Sequence, residues 1–172
     1  LARDGGSPQL SDITILNISV IDINNLAPVY QHGPLTFVAV ESAVPVLIGA
    51  VFAVDSDLSV PNSQVTYSLA YPNDYFRVEA ASGNIRTVGG NFAIDREAND
   101  THALTIDACD GGLPRRCSFT VVTIEIVDVN DNPPQFDAPQ YGCSIFVLEP
   151  AGVFCTRVSA SDPDSGENRS IF

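Results

Sequence analysis

The sequence predicts an all-β fold, a seven-stranded Greek-key sandwich, with one complete unit between two partial ones. Short stretches alternate apolar and polar residues over strand-like lengths, without helical periodicity. Acidic motifs also recur at the spacing of a domain, because Asp4-Gly5-Gly6 returns as Asp110-Gly111-Gly112. Together these two observations indicate tandem β domains of one kind.

The clearest predicted strand covers residues 118–126. Val122 and Ile124 point to one face and Thr123 to the other, as expected for a half-buried strand. Six further stretches, separated by turn residues, predict the other strands: 35–40, 46–54, 65–70, 75–79, 85–88 and 103–109.

Asp, Asn and Pro concentrate in residues 128–134, directly after the last of these strands. Pro133 and Pro134 stop the strand and hold the following backbone extended, which predicts a short, stiff linker. Residues 22–28 repeat this design with fewer charges. We therefore expect the chain to be a fragment containing the C-terminal part of one repeat with its linker, a complete repeat with its linker, and the N-terminal part of the next repeat, at residues 1–26, 27–132 and 133–172.

The charge balance excludes one class of partner. Eight basic residues against 21 acidic ones give a formal net charge of −13, which would repel the phosphates of nucleic acids and favours cations instead. The chain shows no N-terminal signal segment, and no apolar run approaches the roughly 20 residues that span a bilayer. Any membrane anchor is therefore expected outside this chain.

The repeated polar positions are carboxylates and amides rather than apolar residues. Oxygen donors of this kind are the ligands that Ca²⁺ prefers. The repeats are Asp22-Ile23-Asn24-Asn25 with Asp128-Val129-Asn130-Asp131, Asp55-Ser56-Asp57 with Asp162-Pro163-Asp164, and Glu41 with Glu149. The sequence therefore predicts reused calcium ligand sets.

Five motifs in this order resemble the extracellular cadherin repeat, at residues 53–57 and 160–164, 95–97, 108–112 and 128–132. The resemblance covers the whole chain and is closest to the internal repeats of a long nonclassical cadherin or protocadherin. It implies an immunoglobulin-like sandwich and calcium-dependent cell–cell adhesion, with Ca²⁺ at the linkers making tandem repeats rigid. It also implies a single-pass membrane protein whose ectodomain lies outside the plasma membrane and binds other cadherin ectodomains, either homophilically or heterophilically.

The resemblance implies three cations at the downstream linker. Two would be held by Glu41, Asp95, Glu97, Asp128, the Val129 carbonyl, Asp131 and Asp164. The third would be held by Asn130, the Asn132 carbonyl, Asp162, Asp164 and the Asn168 carbonyl, with a last Asp beyond Phe172. Like charges about 5 Å apart repel by roughly 1 kcal/mol in water and 3 kcal/mol at a protein surface. Cations would therefore turn repulsion between two domains into attraction.

The upstream linker departs from the family pattern. Asn25 stands where an Asp bridges two cations, whereas Leu26 replaces an Asn that contributes only its carbonyl. The first two sites, which include Asp22, should therefore bind calcium more weakly. The third site would keep its ligands, which are Asn24, the Leu26 carbonyl, Asp55, Asp57, the Asn62 carbonyl and Asp110.

Other functions compete with adhesion as interpretations of these motifs. Asp55 and Asp57 could form the acid and base of a glycosidase, but a general acid needs an apolar pocket that these domain-end carboxylates lack, so no enzyme is predicted. An EF-hand fails because Gly166 stands at a ligand position and no helices flank the loop. Exposed Trp or Tyr platforms would favour carbohydrate binding, and the chain has no Trp. The open alternative is a calcium-stiffened structural spacer or a carbohydrate-binding cadherin-like module of a secreted protein.

The four cysteines indicate an oxidising compartment. Cys109 and Cys117 flank a turn and are expected to form a cross-strand disulfide. Cys143 and Cys155 fall at apolar, inward positions, where they either pair or remain buried thiols. The chain also carries three N-glycosylation sequons, at Asn17, Asn99 and Asn168, which suit a glycoprotein. A glycan at Asn168 would interfere with the proposed calcium loop.

Overall fold

The computed structural model describes residues 1–171, and all regular structure in that range is β. None of these residues forms a helix long and apolar enough to cross a membrane. The strands are β1 (Ala2–Arg3), β2 (Ser11–Asp12), β3 (Val29–Tyr30), β4 (Leu35–Val40), β5 (Leu47–Ala50), β6 (Ala53–Val54), β7 (Thr66–Leu69), β8 (Phe76–Val78), β9 (Asn84–Thr87), β10 (Thr101–Cys109), β11 (Cys117–Val127), β12 (Gln135–Phe136) and β13 (Ala160–Ser161).

Strands β3 to β11 form the central sandwich. One sheet has the order β4-β11-β10-β7, and the other has the order β5-β9-β8, accompanied by the short β3-β6 ladder. All pairs are antiparallel except β4 and β11, which run parallel. Neighbours in the sheets are often distant in sequence, as in a Greek key. The predicted all-β sandwich is confirmed. Its seven strands are obtained when β3 and β4 are counted as one interrupted strand, and β5 and β6 as another.

The core lies between the two sheets and follows the predicted alternation along β11. Val122 and Ile124 are fully buried, while Glu125 on the opposite face is exposed. Phe76 and Ile85 reach the same core from the second sheet. A fully buried side chain of this size contributes about 1.5–3 kcal/mol relative to an exposed one, so this alternation fixes the register of the sheet.

The predicted continuous strand at residues 46–54 is wrong. The chain leaves β9 after Ala50 and pairs with β3 from Ala53, so two short strands replace one. The register with β9 already shifts at Gly49, where a Cβ would lie 2.6 Å from the ring of Phe37. The switch of partner, which alternation alone does not reveal, causes the break.

The flanking segments contain little ladder structure. β1 pairs with β2, and β12 pairs with β13, but residues 13–28 belong to no strand and have no ladder partner among the described residues. Ile15 and Ile18 are therefore exposed. The proposed repeat boundaries remain predictions.

Both cysteine pairs form disulfides. Cys109 and Cys117 face each other across the β10-β11 hairpin, which confirms the predicted cross-strand bridge. Cys143 pairs with Cys155, which decides between the two alternatives. The expectation that these two residues point inward to an apolar core is wrong, since both are exposed. Neither cysteine belongs to a strand, because the strands within residues 133–171 are β12 and β13.

Candidate metal centre

The end of the sandwich that adjoins the downstream linker collects acidic residues. β4 and β11 are parallel neighbours and stop together, so Glu41 and Asp128 follow their last residues at the same edge. The Glu41 N–H donates to the carbonyl of Val127 at 3.1 Å. The turn at residues 95–97 reaches this edge because β10 begins where β11 ends.

Carboxylates from three segments meet there. Glu41, Glu97 and Asp131 can bring one oxygen each to within 4.8 Å of the others, and so can Glu97, Asp128 and Asp164. The first group joins the sandwich to the linker, and the second adds Asp164 from the following segment. Within residues 1–171 these are the two groups of three or more potential metal ligands.

Burial of the acidic residues follows the predicted ligand sets. All six carboxylates that are buried within residues 1–171 belong to those sets: Glu41, Asp55, Asp57, Asp110, Asp162 and Asp164. A buried carboxylate is costly unless it is paired or coordinates a cation. Asp164 is only 1 % exposed, and its Oδ2 has no hydrogen-bond partner. The donors therefore fit a hard divalent cation such as Ca²⁺.

The electrostatics of the downstream junction show an excess of negative charge. Desolvation raises the pKa of Asp131, and the carboxylates of Glu41 and Asp164 raise it further. Desolvation also raises the pKa of Glu97, with Glu41 adding to the shift. The negative charges that raise the pKa of Asp131 and Glu97 repel these carboxylates, and a bound cation would relieve this repulsion.

Arg96 places a cation inside this acidic group, and its contacts with Asp128 and Pro163 were not predicted from the sequence. Its guanidinium donates hydrogen bonds to the carboxylates of Glu97 and Asp128, and to the Pro163 carbonyl at 3.0 Å. Desolvation alone would raise the pKa of Asp128. Hydrogen bonds from Asn168, Ser165 and Arg96 outweigh it and lower that pKa to about 2. Glu97 and Asp128 are thus shared between Arg96 and any bound metal.

The other predicted downstream ligands have varied surroundings. Asp95 lies outside both carboxylate groups and accepts a hydrogen bond from the Ala98 N–H. Asp162 accepts one from the Asp164 N–H, and the Val129 N–H donates to Glu41. The amide of Asn132 donates to Asp131 and Asp164, whereas Asn130 is exposed.

The upstream junction is built around Asp55, Asp110 and Asn24. Each has a buried side-chain oxygen without a hydrogen-bond partner, namely Asp55 Oδ2, Asp110 Oδ2 and Asn24 Oδ1. Asp57 lies beside them, since its N–H donates to Asp55 Oδ1 and its Oδ2 accepts from the Leu26 N–H. Three oxygens of the predicted third set are thus buried without a partner, as expected for cation ligands, but among the described residues Asp55, Asp57 and Asp110 do not form a close carboxylate group like the two downstream.

Gly112 makes room for this upstream group. A Cβ at Gly112 would lie 2.3 Å from Asn24 Nδ2 and 2.7 Å from Asn62 Oδ1. Two hydrogen bonds hold Asn24 in that position. Its side-chain Nδ2 donates to the Pro114 carbonyl at 2.6 Å, and its main-chain carbonyl accepts from Arg116 Nε. The second glycine of this Asp-Gly-Gly motif, Gly112, is therefore needed because a side chain there would collide with Asn24 and Asn62.

The two junctions share a hydrogen-bonding scheme around the first Asp of each linker. Upstream, Asp22 Oδ2 accepts from the N–H of Ser59 and from Asn62 Nδ2. Downstream, Asp128 Oδ2 accepts from the N–H of Ser165 and from Asn168 Nδ2. Ser59 stands two residues after Asp57, whereas Ser165 directly follows Asp164. A fixed spacing within the repeat would therefore not have identified these two serines as equivalent.

The junctions nevertheless differ in charge. At the upstream junction, hydrogen bonds from Ser59 and Asn62 lower the pKa of Asp22. The pKa of Asp110 is also lowered, because hydrogen bonds from Arg116 and Asn24 outweigh its desolvation. At the downstream junction, by contrast, the pKa of Asp131 is raised. The upstream junction therefore has less uncompensated negative charge.

A β-sandwich with a carboxylate cluster at one end and buried, unpartnered oxygens at the other belongs to the class of β-sandwich repeat modules. The model of the Cadherin domain matches residues 36–127. The chain belongs to the cadherin family.

Relatives and solved structures agree along nearly the whole chain. It is 38 % identical to the Protocadherin-like wing polarity protein stan of Drosophila melanogaster over 99 % of this chain and 5 % of that protein. It is 35 % identical to human Protocadherin-11 X-linked over 99 % of this chain and 13 % of that protein. The crystal structure of mouse Cadherin-23 EC22-24 matches with a TM-score of 0.85 and 32 % identity, covering 97 % of this chain and 53 % of that one. The chain thus spans a small part of the curated relatives it matches.

Proposed function

We propose that this chain is part of a calcium-dependent cell–cell adhesion ectodomain, in which Ca²⁺ at the linkers fixes the orientation of neighbouring repeats. The observation that carries the proposal is the convergence of Glu41 and Glu97 from the sandwich, Asp131 from the linker and Asp164 from the following segment. The ectodomain lies on the extracellular side of the plasma membrane and is anchored by a segment outside this chain. Its partners are other cadherin ectodomains.

The mechanism rests on charge. The seven downstream carboxylates of the proposed sites are Glu41, Asp95, Glu97, Asp128, Asp131, Asp162 and Asp164. Bound calcium supplies positive charge that offsets their repulsion. Because these oxygens belong to the sandwich, the linker and the following segment, their common attraction to cations restrains rotation about the linker.

The proposal is tested on the full-length ectodomain by small-angle X-ray scattering and calorimetry. We expect millimolar calcium to give a longer, more uniform particle than chelator, together with saturable binding. Beads coated with the ectodomain should aggregate in calcium and disperse in chelator. Stiffening without aggregation in mixtures with other cadherin ectodomains would favour a calcium-stiffened spacer. Equal flexibility under both conditions would refute the calcium-dependent linker.

Changing Asn25 to Asp is expected to strengthen the upstream junction. A carboxylate about 5 Å from a divalent ion contributes roughly 1–2 kcal/mol even in water, which corresponds to about a tenfold gain in affinity. Calorimetric titration of the upstream sites measures this gain. Asn91→Asp adds the same charge beside Asp95 and Asn99, away from the upstream linker, and should leave the upstream affinity unchanged. An unchanged affinity in Asn25→Asp would contradict the assignment.

Arg96→Gln is expected to raise the downstream calcium affinity about three- to tenfold. The change releases Glu97 and Asp128 from ion pairs that contribute roughly 0.2–1 kcal/mol each. In chelator the same variant should be more flexible, because the bond from Arg96 to the Pro163 carbonyl across the junction is lost. Titration and scattering measure the two effects. Arg77→Gln, which removes an exposed charge on β8, is the control, and a weaker affinity in Arg96→Gln would overturn the competition.

A further inference from the structure

We propose that Asn99 carries an N-linked glycan and that Asn168, although it lies in the same kind of sequon, does not. Both residues stand near the downstream junction, in Asn99-Asp100-Thr101 and Asn168-Arg169-Ser170. The sequence motif therefore gives them equal standing. Their surroundings separate them, and this proposal does not depend on calcium binding.

The main chain holds Asn99 in a defined turn and presents its side chain to solvent. The Asn99 N–H donates to the Asp95 carbonyl at 3.0 Å, and the Asp100 carbonyl accepts from the Ile126 N–H at 2.9 Å. Asn99 and Asp100 are both exposed, and Thr101 begins β10 at an exposed position. All three residues of the sequon are thus accessible.

Open space adjoins Asn99 on two sides. One cleft is lined by Arg96, Glu97 and Pro163, and the other by Tyr75 and His102, with Asn99 at the border of both. A bulky group attached there meets no packed neighbour. A glycan at this position would lie over the side of the junction that Arg96 and Pro163 form, so a protein partner would have to approach the junction from another side.

Asn168 has the opposite setting. Its side-chain nitrogen Nδ2, the atom that would carry the sugar, donates to Asp128 Oδ2 at 2.9 Å, and the residue is half-buried. This bond is one of those that lower the pKa of Asp128. A sugar on Nδ2 would insert bulk between two segments that this bond joins.

The modification itself is a transfer from a lipid-linked oligosaccharide pyrophosphate. A bond forms between Asn99 Nδ2 and the anomeric carbon of the first sugar, and the bond from that carbon to the pyrophosphate oxygen breaks. The amide loses one proton, and the lipid pyrophosphate leaves. Asn99 keeps one N–H on Nδ2, and no oxidant or reductant takes part.

The test is peptide mapping of the full-length protein recovered from the surface of eukaryotic cells. The glycans are released by an amidase in ¹⁸O water, so that each formerly modified Asn becomes a labelled Asp. We expect label at Asn99 and none at Asn168. An unlabelled Asn99 in protein that reached the cell surface, or label at Asn168, would overturn the proposal.

Matched variants make the result independent of labelling. Asn99→Gln and Thr101→Ala should each remove the mass of one glycan, whereas Thr101→Ser keeps the sequon and should keep the glycan. Ser170→Ala destroys the sequon of Asn168 without changing Asn168 itself and should leave the glycan mass unchanged. A loss of mass in Ser170→Ala, or none in Asn99→Gln, contradicts the assignment.

Discussion

Replacing Asp164 by Asn is expected to lower the calcium affinity of the downstream junction by at least about a hundredfold. Asp164 belongs to one of the two carboxylate groups, is 1 % exposed, and has a buried Oδ2 without a partner. A carboxylate about 5 Å from a divalent ion contributes roughly 2 kcal/mol in water and more at a protein surface. A hundredfold loss corresponds to about 2.8 kcal/mol.

The measurement is a calorimetric titration of the intact ectodomain, accompanied by scattering in calcium. Asn is close to Asp in size, so the variant should keep the β signature in circular dichroism while the junction stays flexible. Asp74→Asn removes an exposed charge from the β7–β8 loop, outside both carboxylate groups, and serves as the control. Equal affinities in the two variants would show that Asp164 is not a ligand.

Alternation predicted most of the sandwich because burial on one face is a local, period-two signal. It placed Val122 and Ile124 correctly, and the hairpin between Cys109 and Cys117 followed from their positions around a turn. It failed at residues 46–54, where apolar residues continue although the hydrogen-bonding partner changes. Strand pairing is a long-range property, which a local pattern does not contain.

The acidic motifs likewise predicted which residues cluster but not what surrounds them. Glu41, Glu97 and Asp131 meet although they are distant in sequence, as the family resemblance implied. The contacts of Arg96 with Glu97 and Asp128 depend on side-chain direction, which the motif does not contain. The sequence did contain one signal for these contacts, because Arg96 is the one basic residue in the turn at residues 95–97.

The two junctions combine a common scaffold with different charge. Asp22 and Asp128 accept matching hydrogen bonds from a Ser and an Asn of the following segment. The raised pKa of Asp131 marks uncompensated charge downstream, and Asn25 removes the corresponding charge upstream. We therefore expect differences in calcium occupancy between junctions to depend on single linker residues, such as Asn25 and Asp131, while the hydrogen-bonding scheme around the first Asp stays the same.

Gly112→Ala is expected to abolish calcium binding at the third upstream site while leaving the downstream junction intact. The new methyl group would fall 2.3 Å from Asn24 Nδ2, a separation that real Cβ contacts do not adopt. Asn24 would have to move, although the hairpin that contains Gly112 holds both its side-chain Nδ2 and its main-chain carbonyl by hydrogen bonds. Since Asn24 Oδ1 is one of the three orphaned upstream oxygens, its displacement removes a ligand.

Titration in an Asp164→Asn background lowers the competing downstream affinity, so the upstream effect is the difference between Gly112→Ala and its control in that background. Gly33→Ala is the matched control, since a Cβ at Gly33 meets nothing within 4 Å. Overpacking costs about 1–3 kcal/mol of stability, so thermal unfolding is followed in parallel to separate a damaged fold from a lost site. If Gly112→Ala folds and still binds calcium as tightly as Gly33→Ala, Asn24 is not an upstream ligand, and the cation there must depend on Asp55 and Asp110 without it.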